Sequence, residues 1–265
     1  MSASDRPLCL DHRYGPRVHV LDDAFTRTLL ARVGSPAAHP PELLELVRSF
    51  YRLLLARVLA REFPLARRSE PTRMIEHTPL GVWAGEGLDP NVEIVIANVL
   101  RAGAVPSLAV YEEIGRILPA KNVRIDHFYF ARIADAAGRV IGVDAAGSKI
   151  GGPLAGRVLL VPDPMGATGS TVLRVLETYK KRDLGAPSIA VAMHLIVTPE
   201  SLRLLAKEAP ELRVYAGRVD RGMSPPDVLA AMPGVHFDRE RGLSDHDYIV
   251  PGAGGLGEVL TNSWC

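Results

Sequence analysis

Residues 156–182, GRVLLVPDPMGATGSTVLRVLETYKKR, restrict the fold of this chain more than any other stretch. Residues 158–161 are a short run of branched apolar side chains, too short for a helix, and predict a strand buried on both faces of a parallel sheet. Asp163, Pro164 and Met165 follow, then a loop of small residues, Gly166-Ala167-Thr168-Gly169-Ser170-Thr171. From Thr171 the spacing changes: Val172, Val175, Leu176 and Tyr179 recur at three and four, so a helix starts there with one apolar face. A strand, a small polar loop and a helix start make an anion site, because unpaired backbone N–H groups converge where the helix dipole favours negative charge. The hydroxyls of Thr168, Ser170 and Thr171 add donors. This is not the ATP-binding P-loop, which needs a Lys directly before the Ser/Thr where this chain has Gly169. An acid that closes the strand five positions before a Thr-Gly pair suits a sugar phosphate, with hydroxyls facing Asp163 and phosphate in the loop. The competing reading is a tight turn capped by Ser170 or Thr171, which any α/β protein can contain.

The same device occurs upstream. Residues 92–100, VEIVIANVL, predict a buried strand that runs into Arg101, Ala102 and Gly103, then a helix over 107–118. Turns at the C-terminal ends of parallel strands line one crevice. A cation and small residues at such a turn suit a second anion, a pyrophosphate. Further strands are expected over 123–133, 188–197 and 212–219, with Thr198-Pro199-Glu200 opening a capped helix after the second of these. Strands alternating with helices over 91–219 predict an α/β fold with a doubly wound, mainly parallel sheet.

The flanks are less specific. Residues 1–17 read as an irregular arm and 21–33 as a helix, and Pro40-Pro41 opens a stronger helix over 42–61. Its stripe of Leu43, Leu46, Val47, Phe50, Tyr51, Leu54 and Val58 suits core or dimer contact. Residues 61–73 are basic and read as a solvated connector or a phosphate-binding patch, and 74–82 as a strand broken at Thr78-Pro79. Residues 134–155, rich in Gly and Ala and carrying Lys149, read as a flap: either a lid that excludes water or an exposed loop. The division expected is an N-terminal arm with helices over 1–72 and a catalytic domain over 73–265.

Composition sets the outer bounds. A 265-residue chain with 47% hydrophobic residues can bury a sizeable core. A net charge of +1 supplies no field for nucleic acid or an anionic membrane. No apolar run approaches the ~18 residues of a membrane span, and the polar, acid-bearing start is unlike a signal peptide. Cys9 and Cys265 have no metal-ligand spacing and suggest the reducing cytoplasm.

The string DPMGATGST closely resembles the 5-phosphoribosyl-1-pyrophosphate (PRPP) motif of uracil phosphoribosyltransferases, which carry DPM, one variable residue, then ATGGS or a near variant. VLRAG, ending at Gly103, matches the family's Ile/Val-Leu/Val-Arg-Ala-Gly, and Thr78-Pro79-Leu80 looks like the stretch ahead of its first core strand. Arg132 falls where the family has an Arg followed by acids, although here Ile133 and Ala134 intervene before Asp135. GLSDHDYIVPGAGGLGEVL, from Gly242, looks like the family's C-terminal GLNxxxYIVPGxGDxGDRxFG. The resemblance covers roughly residues 74–260.

By resemblance, PRPP is held by Arg101, Ala102, Gly103, Arg132, Asp163, Pro164, Met165, Gly166, Ala167, Thr168, Gly169, Ser170 and Thr171. Magnesium travels with PRPP on its pyrophosphate oxygens, with no protein metal cluster. Asp163, Arg101 and Arg132 are the expected catalytic residues. A hood over about 220–265 is expected to hold a nucleobase-like acceptor at Tyr248, Ile249, Val250, Pro251, Gly252, Gly254 and Gly255, largely through backbone groups. The family's habit also implies a homodimer in the cytoplasm engaged in nucleotide salvage, with GTP regulation in some members.

Three departures stand out. Gly255 replaces an Asp that in the family lies by the nucleobase and is assigned to its proton, Glu258 replaces a second Asp, and Val259 an Arg. Asp245, His246 or Asp247 are candidates to replace the missing acid. Residues 220–240 have no counterpart in the family pattern. The expected reaction is transfer of 5-phosphoribose to uracil, giving UMP and pyrophosphate. The alternatives are transfer to another small heterocycle or aromatic acid, and a protein that senses PRPP or a nucleotide without turning it over.

Overall fold

The computed structural model describes residues 9–134, 140–144 and 147–263. The N-terminal arm gives β1 (Val18–Val20), which was not expected, and α1 (Ala24–Val33), capped where Asp23 accepts the Thr26 N–H at 2.8 Å. α2 (Glu42–Glu62) follows Pro40-Pro41 and buries Leu43, Val47, Phe50, Tyr51, Leu54 and Val58. The expected connector after it is instead β2 (Leu65–Pro71), paired antiparallel with β3 (Val82–Leu88). The strand expected over 74–82 is mostly not one. Thr72 accepts the Met74 N–H at 3.2 Å and starts a tight turn over Arg73–Glu76, and Pro79 has no N–H for a ladder. The resulting hairpin exposes Leu65, Met74, Leu80, Val82 and Trp83.

β4 (Ile94–Val99) is buried throughout, and α3 (Ala104–Gly115) begins three residues ahead of expectation. The strand expected over 123–133 splits. β5 (Val123–Phe128) stays in the sheet, while β6 (Ala131–Ala134) leaves it to pair with β7 (Val140–Asp144) as a hairpin. The reason lies at the sheet edge, where His127 and Lys149 exchange two backbone hydrogen bonds of 2.8 Å, giving β5 a local partner and turning the chain away. β8 (Val158–Pro162), β9 (Met165–Gly166), α4 (Ser170–Lys181), β10 (Ile189–Val197), α5 (Pro199–Glu208) and β11 (Arg213–Val219) complete the alternation. Short helices α6 (Pro226–Ala230) and α7 (Leu256–Val259) lie in the C-terminal part.

Among the described residues the main sheet runs β1-β11-β10-β8-β4-β5, with β9 also on β10, and every pairing is parallel. One face packs on α1, α2 and α3, and the other on α4 and α5, so the sheet is doubly wound. The N-terminal residues share this core: β1 forms an edge of the sheet, and the Tyr51 hydroxyl of α2 donates to the Met193 carbonyl at 3.0 Å. Among the described residues no helix is long and apolar enough to cross a membrane.

Residues 220–240 fold around a buried pair. Glu240 is fully buried, with Arg221 at 2.8 Å, the Tyr14 hydroxyl at 2.6 Å and the Gly234 N–H at 2.8 Å. Arg221 also donates to the carbonyls of Val228, Leu229 and Ala231. Burial and the Glu240 carboxylate push the Tyr14 hydroxyl well above its ordinary pKa, so it stays protonated and donates. The segment is thereby stapled to the N-terminal arm.

Candidate active site

The chain switches direction in the sheet between β4 and β8. From β4 it moves outward through α3 to β5, and from β8 outward the other way to β10 and β11. A crevice opens at the C-terminal ends of strands at such a switch. Both anion turns emerge there, brought together by the β4·β8 pairing. They touch: a Cβ on Gly103 would lie 2.7 Å from the Val99 carbonyl oxygen and 3.2 Å from that of Pro162, so a larger residue would part the turns.

In the second turn, Asp163 and Pro164 step out of the β8 ladder, and β9 resumes pairing, Met165 with Ile196 and Gly166 with Val197. The Pro164 carbonyl accepts from Leu195 and Ile196 across the step, at 3.1 and 3.2 Å. Gly169 is left-handed, φ +80°, and a Cβ there would meet Ser201 Oγ at 3.0 Å and Leu205 Cγ at 3.2 Å. It is therefore a glycine for backbone reasons and for packing on α5. Thr168 Oγ1 and Ser170 Oγ share a hydrogen bond of 2.8 Å at the mouth of α4. The first N–H groups of this 12-residue helix face the loop they follow, the arrangement that favours an anion.

Asp163 is 9% exposed, and its carboxylate accepts the Met165 N–H at 3.3 Å. Burial pushes its pKa up to about 6, opposed by that N–H. Behind it lies His194, a residue that sequence reasoning passed over: Nδ1 is 2.6 Å from the Asp163 carbonyl oxygen, and the ring packs where a Gly166 Cβ would be. Burial holds the imidazole down at about 4, so it is neutral at physiological pH. A single His inside an apolar strand carries no periodic or motif signal, so only the fold reveals it.

Arg101 Nη1 donates to Ser263 at its carbonyl oxygen (2.8 Å) and Oγ (3.1 Å), and Nη2 lies 3.9 Å from Glu258 Oε1. A Cβ on Gly257 would touch Ala102 Cβ at 3.3 Å, so the C-terminal segment rests directly on this turn. The side chain of Arg132 and all of Asp135 lie outside the described residues.

The hood is fastened by two acids. Glu200, at the start of α5, accepts the Gly242 N–H with both oxygens at 3.0 Å. Asp220, buried just past β11, accepts the Gly252 N–H at 2.7 Å and a forked pair from Arg218 at 2.5 and 2.9 Å. Arg218 also donates to the Gly252 carbonyl at 3.2 Å. Val250 donates to Gly242 and accepts from Gly222, at 2.8 and 2.9 Å. The backbone groups of Val250 and Gly252 are thus engaged within the hood, and Ile249 is buried in the core. Tyr248 is 61% exposed, and Asp245, His246 and Asp247 are exposed as well. Gly254 is exposed and Gly255, half-buried, sits at the start of α7. No motif marks Arg218 or Asp220 in the sequence, because their role depends on the distant Gly252.

The uracil phosphoribosyltransferase family model matches residues 20–236. A uracil phosphoribosyltransferase of Dictyoglomus turgidum is 27% identical over 244 residues, covering 92% of this chain and 98% of its own length. One from Nicotiana tabacum is 30% identical over 181 residues, covering 68% of this chain and 67% of its own. The structure of the AQ2163 protein from Aquifex aeolicus superposes with a TM-score of 0.67 at 22% identity, covering 92% of this chain and 97% of that one, and shares its fold.

Proposed function

We infer the reaction from one premise: this chain belongs to the uracil phosphoribosyltransferase family and is a phosphoribosyltransferase. We propose that its donor is PRPP and its acceptor uracil, giving UMP and pyrophosphate. The observation that carries the proposal is the meeting of two anion turns around one buried acid, Asp163, at the β4/β8 crevice.

In this reading the loop from Gly166 to Thr171 holds the 5-phosphate on the α4 N–H groups and the hydroxyls of Thr168 and Ser170. The Asp163 carboxylate accepts one N–H and keeps capacity for the ribose hydroxyls. As the C1–oxygen bond breaks, positive charge grows on the ribose ring, as in glycoside hydrolysis, and a carboxylate in a site of low polarity stabilises it. Arg101, with Arg132, takes the negative charge of the departing pyrophosphate. Magnesium would enter with PRPP, carried by the donor and not by protein ligands, and would neutralise the leaving group. The rest is positioning: two fixed anion sites hold the sugar while the hood, fastened by Glu200 and Asp220, aims the acceptor nitrogen at C1. Orientation of this kind supplies on the order of 7–11 kcal/mol.

A second acceptor is favoured by one observation, the absence of a side chain at Gly255, and takes the form of another small heterocycle with a ring N–H. We also propose that the enzyme works in the cytoplasm, in nucleotide salvage, as a homodimer. The exposed apolar hairpin β2–β3, with Leu80 at 87% exposure, is the surface that a second copy would cover. The deciding experiment is pyrophosphate release from PRPP and magnesium with a panel of bases, the nucleotide identified by mass. UMP formation supports the reading, and no release with any pyrimidine refutes it.

A further inference from the structure

We propose that Glu258 is a catalytic residue on the acceptor side: it receives the proton of the acceptor's ring nitrogen. The inference deepens the proposed reaction and rests on it. An uncharged acceptor with a ring N–H becomes a nucleotide only if that proton leaves as the nitrogen–C1 bond forms. A base for it must belong to the hood and reach the crevice.

Glu258 meets these demands. Its Oε2 lies 2.9 Å from where a Cβ on residue 255 would stand, so the carboxylate fills the space that a side chain at Gly255 would take. That places it at the turn of Gly254 and Gly255, within the stretch expected to hold the acceptor. Its other oxygen, Oε1, is 3.9 Å from Arg101 of the first anion turn, and its side chain is 31% exposed, so it is not sealed in the core. Gly257, its neighbour, packs on Ala102 and holds α7 against the turn. Of the other acids over 220–265, Asp220 and Glu240 are buried on partners of their own, and Asp227, Asp238, Asp245 and Asp247 are exposed. Gly255 itself has φ −79°. The absence of a side chain there is therefore not required by the backbone, and it makes room for Glu258.

In the step, the acceptor nitrogen forms its bond to C1, the C1–oxygen bond breaks, and pyrophosphate leaves with the electron pair. The ring proton passes to the Glu258 carboxylate and from there to water.

The test compares wild type with Glu258→Gln and Glu258→Asp, each checked for a native melting curve. Steady-state kinetics use uracil and 5-fluorouracil, whose ring N–H is more acidic, and calorimetry measures PRPP with magnesium. Glu258→Gln is expected to lower kcat with uracil about 30- to 100-fold. The loss with 5-fluorouracil should be clearly smaller, because its proton needs less help. PRPP affinity should stay within about threefold, and Glu258→Asp should recover part of the turnover. Turnover kept by Glu258→Gln overturns the assignment, as do equal losses with both acceptors. A fall in PRPP affinity that matches the fall in kcat also overturns it, marking Glu258 as a mere support for Arg101. Lack of turnover in wild type overturns the reaction itself, which separates that failure from one confined to Glu258.

Discussion

The imidazole of His194 lies 2.6 Å from the carbonyl oxygen of Asp163 and ties the bend of the anion loop to the central strand β10. A carbonyl can only accept, so Nδ1 carries the hydrogen, and Nε2 is buried with no partner among the described residues. His194→Phe keeps the ring shape and removes the donor. Stranding the carbonyl costs about 1–3 kcal/mol, and removing the unpartnered Nε2 returns part of it. The expected outcome is a small fall in Tm, with kcat/KM for PRPP reduced about tenfold or more because the Asp163 bend relaxes. A thermal melt and PRPP kinetics check it.

Asp163 carries a cost in stability. Its folded pKa is raised to about 6, above its ordinary 3.8, so the folded state binds the proton more tightly than the unfolded chain. Stability from this group is complete below pH 3.8 and is lost as pH rises through about 6. Asp163→Asn is expected to stabilise the protein at pH 8, by up to about 3 kcal/mol, and to change nothing near pH 3. The same variant should lose transfer activity. Denaturant melts at the two pH values, with a pyrophosphate assay, test both halves.

In the anion loop, two neighbouring substitutions are expected to act differently. Thr168→Ala removes a hydroxyl at the mouth of α4 and should weaken PRPP binding about ten- to a hundredfold with Tm nearly unchanged. Gly169→Ala puts a Cβ against Ser201 and Leu205 at φ +80°. It should cost about 1–3 kcal/mol of stability whatever it does to PRPP. Gly169→Val adds branching to the same collision, so a binding loss in that variant reports on α5 packing more than on phosphate approach. Calorimetry beside melting curves separates the two effects.

Arg101→Ala is expected to reduce kcat about 100-fold or more, since the guanidinium acts on charge that develops only on the leaving pyrophosphate. Ribose-5-phosphate, which lacks that group, should bind within about threefold of wild type. Equal losses of turnover and ribose-5-phosphate affinity would contradict this role. Because Arg101 also holds Ser263, faster proteolysis of the C-terminal residues is expected in the variant.

Asp220 supports the hood from the end of β11. Asp220→Ala leaves the Gly252 N–H and the half-buried Arg218 without their acid, a loss of about 1–3 kcal/mol. In a protein that still folds, KM for the acceptor should rise far more than the affinity for PRPP falls. Kinetics with the acceptor varied, set against PRPP calorimetry, decide it.

Strand and helix periods, helix starts and the residue chemistry of the two anion turns are local properties. The residues over 92–103 and 158–171 therefore disclosed a parallel α/β sheet, the small-residue loop at the start of α4, and Asp163 and Arg101 as the groups to watch. Where local pattern misled, a neighbour decided: β2 became a strand because β3 lies beside it, and the 123–133 run broke because Lys149 pairs with His127.

Other features join residues that the chain keeps far apart. That Gly103 abuts Pro162, that His194 supports Asp163, that Glu200 and Asp220 hold the hood, and that Glu258 reaches over Gly255 toward Arg101 follow from strand order and the path of the C-terminal segment. No period or motif encodes them, because burial and hydrogen-bond satisfaction of distant groups are settled only when the whole sheet closes around its core.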